Sequence, residues 1–116
     1  MRKVFHRKLI RDNAPDKMQE AGVVFETRPL ENAEFKNELL RKAIEEAVEL
    51  GDSETKEKIT AELADILDVI DQVREMFGIR KTELKAARAL NSKQKGGFRQ
   101  RLLLEWSEGG NYKTNE

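Results

Sequence analysis

Residues 45–65 read EEAVELGDSETKEKITAELAD, and the reading of this stretch decides the fold. Gly51, Asp52 and Ser53 interrupt two long segments whose apolar residues recur at helical spacing. Upstream the apolar set is Phe35, Leu39, Leu40, Ala43, Ile44, Ala47, Val48 and Leu50. Downstream it is Ile59, Leu63, Ile66, Leu67, Val69, Ile70, Val73, Met76 and Phe77. The spacing predicts a helix capped by Asn32 that runs to about Leu50 and stops at Gly51. A second helix, capped by Asp52-Ser53, reaches about Phe77. Glu54 and Glu57 suit its positive end, and Gly78 followed by Ile79 fits a Schellman ending. A connection this short makes the two helices antiparallel neighbours.

The same stretch carries two pairs of acids, Glu46 with Glu49 and Glu62 with Asp65. Each pair is spaced i, i+3, so its carboxylates share a helix face. At roughly 100° per residue, Glu46 projects between Phe35 and Leu39, and Glu62 between Val69 and Val73. Glu49 and Asp65 fall at the edges of these apolar sectors. Antiparallel packing brings all four together. Burying an unpartnered carboxylate costs several kcal/mol, so such a group calls for a cation. Oxygen-only ligands suit Mg²⁺, with Mn²⁺ as a substitute. The plainer alternative is solvated charge, or pairing with neighbouring lysines. Asp68 and Asp71 point to the polar side of the same helix and read as solvated. Glu45 faces outward and reads equally as a supporting acid or as surface charge. The one histidine, His6, lies outside both helices, so the Glu-x-x-His pattern of di-iron bundles is missing.

The rest of the chain is shorter-ranged. Val4 to Ile10 is β-tolerant, and Asp12-Asn13-Ala14-Pro15 reads as a turn. Pro15 opens a short helix, Asp16 to Ala21, that Gly22 ends. Val23 to Thr27 has strand character, and Pro29 breaks the chain. Thr82 is placed to cap a further helix, which ends between Asn91 and Lys95 at Gly96-Gly97. Phe98 to Trp106 reads as a strand or a docked extension, with Phe98 and Trp106 as core or interface anchors. Residues 107–116 form a polar, fraying tail.

Composition narrows the function classes. The 116 residues suit one domain, expected over 1–106. With 38% charged and 6% aromatic residues, the chain suits helices with one apolar stripe. The apolar sector of the first long helix is wider than one neighbour covers. The expected fold is therefore all-α: antiparallel helices that assemble into a four-helix-type bundle on oligomerisation, as a homodimer or homotetramer, with short N-terminal extended segments. Net charge is zero, which argues against a strongly basic nucleic-acid surface. Cysteine is missing, which excludes disulfides, zinc–thiolate sites and thiol catalysis and fits the cytoplasm. No apolar run approaches the ~18 residues of a membrane span, and the basic N-terminus lacks the apolar stretch of a signal peptide.

Glu45-Glu46-x-x-Glu49 followed by Glu62-x-x-Asp65 resembles the signature of the all-α nucleoside triphosphate pyrophosphohydrolases, the MazG-like group. Lys8-Leu9-Ile10-Arg11-Asp12-Asn13-Ala14-Pro15 resembles the Lys-Leu-Val-Arg-Asp-Lys-Ile-Pro opening of its phosphoribosyl-ATP pyrophosphohydrolase-like branch, from which Asn13 and Ala14 depart. Lys95-Gly96-Gly97-Phe98 with Arg101 resembles that branch's closing segment. The three motifs span nearly the whole chain in order. The resemblance implies a cytoplasmic, Mg²⁺-dependent hydrolase that releases pyrophosphate from a nucleotide. It implies Glu46, Glu49, Glu62 and Asp65 as metal ligands and catalytic residues. Lys8, Arg11, Lys95, Gly96, Gly97 and Arg101 are then candidates for holding substrate phosphate. Adjacent glycines expose backbone N–H groups to an anion, and the cations offset its charge. The plainer alternative for Lys93, Lys95, Gly96, Gly97, Arg99 and Arg101 is a helix end whose cations complement its dipole. Two other functions stay open: a non-catalytic helical dimerisation module, and phosphoribosyl-ATP hydrolysis itself.

Overall fold

The computed structural model describes residues 2–110. It contains α1 (Ala14–Glu20), α2 (Asn32–Asp52), α3 (Lys56–Met76) and α4 (Lys81–Lys95), with no strand among the described residues. The chain is all-α, as the periodicity predicts. It divides into two compact units, Met1–Phe77 and Gly78–Glu116.

The first unit is built on the α2–α3 hairpin. Lys36, near the start of α2, lies 5.5 Å from the centre of the Phe77 ring, just beyond the end of α3. The helices are therefore antiparallel. Their register is symmetric about Glu54: Leu39 and Val69 each lie 15 residues from it, and Glu46 and Glu62 each lie 8. Leu39 and Val69 are the buried apolar residues among those described in the unit. A second apolar stripe faces outward. Leu40, Ile44 and Val48 on α2, and Leu63, Leu67 and Ile70 on α3, are all substantially exposed.

The helix ends correct the expected caps. Glu31, not Asn32, is the N-cap of α2, and Gly51 lies inside the helix, which runs on to Asp52. Ser53 does not cap α3. Its hydroxyl donates to the Glu49 carbonyl at 2.8 Å and closes the end of α2. Thr55 caps α3 instead, its Oγ1 accepting from the Lys58 N–H at 3.2 Å. Carrying α2 through Gly51 leaves only Ser53, Glu54 and Thr55 for the turn.

The short helix α1 has Pro15 in its first turn. It ends in a Schellman pattern, with the Val23 N–H donating to the Met18 carbonyl and the Gly22 N–H to the Gln19 carbonyl, both at 3.0 Å. Gly22 has φ 72° there, a conformation open to glycine at little cost. Val4–Ile10 and Val23–Thr27 form no strand, because an isolated extended segment has no edge to pair with.

The second unit holds α4, with Arg80 rather than Thr82 as N-cap. The helix stops at Gly96, φ 77°. Beyond it Phe98, Leu102, Leu103 and Trp106 are exposed and form neither helix nor strand. Of the expected tail, 107–110 carries no helix or strand, and 111–116 lies outside the described residues. No helix among the described residues is long and apolar enough to cross a membrane.

Candidate metal centre

The hairpin register places Glu46 of α2 against Glu62 of α3. Each enters the interface from a position where the helical repeat calls for an apolar residue. Glu46 is 8% exposed, the one buried charged residue among the described residues. Its Oε2 and the Oε2 of Glu62 are buried and receive no hydrogen bond. Glu49, one turn along α2, completes the group. One carboxylate oxygen from each of Glu46, Glu49 and Glu62 lies within 4.8 Å of the other two.

The electrostatics follow from this crowding. Burial first, then a hydrogen bond with Glu62, then the charges of Asp65, Glu49 and Glu62 push the Glu46 carboxyl up to about 7.

Asp65 is the fourth acid of the expected set and is placed differently. Its Oδ1 accepts from Arg11 Nη2 at 2.8 Å. The neighbouring Nη1 reaches Asp68 Oδ2 at 2.9 Å. Asp68, expected to be solvated, is exposed but is also an anchor for Arg11. The hydrogen bond that Arg11 donates to Asp68 is the main influence holding the guanidinium firmly charged, and the charges of Asp65, Asp68 and Glu46 add to it. Glu45 pairs loosely with Lys42 at 3.7 Å, and Asp71 pairs with Arg74 at 3.3 Å.

Lys8 approaches the acids from the α2 side. With Ile44, Glu45, Val48 and Glu49 it lines an open hollow of about 280 Å³. The N-terminal arm thus puts Lys8 on the hollow that Glu49 also lines, and Arg11 on Asp65. Arg7, immediately before Lys8, has φ 48°, a left-handed conformation that costs about 1–2 kcal/mol outside glycine. Lys95, Gly96, Gly97 and Arg101 belong to the second unit and are all exposed. Within that unit the Arg101 N–H donates to the Phe98 carbonyl at 3.1 Å, closing a turn just after the glycine pair.

The donor set fits a hard divalent cation. It is all oxygen, graded from buried Glu46 to exposed Glu49, and has spare lone pairs on one buried oxygen each of Glu46 and Glu62. Around an octahedral Mg²⁺ at 2.0–2.1 Å, ligand oxygens stand roughly 3–4 Å apart. Separations of up to 4.8 Å therefore need only a small closure to meet such an ion.

The Arg11–Asp68 contact is the part of the site that periodicity does not reveal. Its signal is the i, i+3 spacing of Asp65 and Asp68, which offers two adjacent carboxylates to one guanidinium. No family model, curated protein or solved structure matches this chain.

Proposed function

We propose that the chain is a Mg²⁺-dependent nucleotide pyrophosphohydrolase, hydrolysing the bond between the α and β phosphates of a nucleoside triphosphate or related nucleotide. The observation that carries this reading is the convergence of Glu46, Glu49 and Glu62 on one small volume, with a buried Oε2 on Glu46 and another on Glu62 that have no hydrogen-bond partner among the described residues. A structural acid cluster has no reason to keep them, because each such oxygen is destabilising. The order of the three sequence motifs supports the nucleotide as substrate.

Glu46, Glu49 and Glu62 would hold the cation, with Asp65 one turn along α3 from Glu62. When bound, the ion offsets phosphate charge and orients the reacting oxygens. The chain's own residues supply the rest. Lys8, at the hollow beside Glu49, gives an anionic substrate a cation on the α2 side. A carboxylate within reach of the attacking water takes its proton. The water oxygen bonds to phosphorus, the bridging bond breaks, and pyrophosphate leaves with that electron pair.

The test is a panel of nucleotides assayed for pyrophosphate release with Mg²⁺, on wild type and on Glu62→Gln. Wild type should release pyrophosphate from at least one of them, and Glu62→Gln should lose at least a hundredfold in kcat/KM. Release of orthophosphate alone, or equal activity in both proteins, would remove the proposal.

The outward apolar stripe favours a second, compatible reading. Two buried apolar side chains stabilise a hairpin too little to offset the entropy of ordering it. A second copy packing on Leu40, Ile44, Val48, Leu63, Leu67 and Ile70 would complete the core as a four-helix bundle. If assembly were the whole function, Mg²⁺ would not raise the thermal midpoint. In the enzyme it should.

A further inference from the structure

The Arg11 clasp has a role that salt bridging alone does not explain. The guanidinium spans two carboxylates one turn apart on α3, Asp65 at 2.8 Å and Asp68 at 2.9 Å. Asp65 shares its helix face with Glu62, and its charge is felt at Glu46. Among the described residues, no ion pair reaches Glu46, Glu49 or Glu62. Arg11 is thus a cation on the α3 side that sits on the acid at the cluster's edge.

Building on the metal-centre reading above, we propose that Arg11 is a built-in counter-cation of the acid site. It holds Asp65 when the site lacks a divalent ion and releases Asp65 to the ion on binding. Asp68 then keeps the guanidinium at the rim, where the freed Nη2 faces incoming phosphate. The exchange is easy because the contact is exposed: the side chains of Arg11 and Asp65 are 60% and 38% accessible. Exposed ion pairs of this kind shift an equilibrium by only about two- to fivefold each. A divalent ion held by several carboxylates outcompetes such a clasp. The bidentate fork also explains why arginine suits the position, since a lysine would hold only one of the two acids at a time.

The consequence is an order of events. Cation binding converts Arg11 from a group that neutralises the protein into one that neutralises the substrate. A phosphate arriving first meets an arginine already committed to two carboxylates.

The test is calorimetric titration of Mn²⁺ into wild type, Arg11→Gln and Arg11→Lys at one pH and ionic strength, with circular dichroism confirming each fold. Removing the competing contact should tighten Mn²⁺ binding about two- to fivefold in Arg11→Gln, with Arg11→Lys intermediate. In wild type, Mg²⁺ titration followed by ¹⁵N NMR should shift one arginine Nε–H signal in step with binding, and that signal should be missing from Arg11→Lys. Saturable binding of equal or weaker affinity in Arg11→Gln would overturn the clasp and leave the metal site standing. No saturable binding in any of the three proteins would overturn both. Should Arg11→Gln not fold, an Arg11→Lys affinity equal to wild type would decide against the clasp.

Discussion

Glu46 combines burial with an ionisable group, and it makes the stability of this chain depend on pH in an unusual direction. Its folded pKa stands at about 7, above the ordinary 4.5. Between those values the folded chain binds more proton than the unfolded one, so stability from this group is fully present below pH 4.5. It is lost as pH rises through 7. Without divalent ions, stability should therefore rise as pH falls from 8 to about 5.5, by an amount of the order of 1–3 kcal/mol, and the thermal midpoint should rise with it. Glu46→Gln should flatten that part of the profile and stabilise the chain at pH 8. An unchanged slope in Glu46→Gln would assign the proton elsewhere. The burial of Glu46 and its meeting with Glu62 were legible because helical repeat and hairpin register together fix where a side chain points. The hold of Arg11 on Asp65 and Asp68 was not. It depends on where a non-periodic arm lies, and nothing in residues 2–13 encodes that path by repetition.

Helices, as elements, were legible in existence and order, and their ends less so. Apolar periodicity runs through the middle of a helix, whereas a cap is decided by one side chain's choice between neighbours. Ser53 and Thr55 are both good capping types two residues apart, and only the length of α2 determines which of them serves α3. Because Thr55 Oγ1 accepts from Lys58 N–H, Thr55→Ala should cost about 1 kcal/mol. Ser53→Ala should cost less, since it loses only a bond to the carbonyl end of α2. Urea unfolding midpoints at fixed chain concentration would read both, and a larger loss for Ser53→Ala would restore it as the cap. The expected strands failed for a different reason: β-branched composition supplies a preference, but a strand also needs a partner edge.

At the scale of the whole molecule, the exposed stripe from Leu40 to Ile70 leads to a measurable mass. Light scattering at micromolar concentration should give at least a dimer, and Ile44→Lys with Leu67→Lys should lower both the mass and the thermal midpoint. A monomeric wild type would count against assembly through this face. The two ion pairs of Arg11 have a further consequence, one of timing. They join residues 54 and 57 positions apart, whereas α2 and α3 meet across a three-residue turn. Contacts between distant residues form late, because the intervening chain must first be ordered. During synthesis the arm emerges first, yet it has nothing to grip until Asp65 and Asp68 have been made and α3 has folded back. A ribosome-bound chain whose exposed portion stops short of Asp65 should therefore leave the arm open to protease. Exposing a few residues beyond Asp68 should protect it.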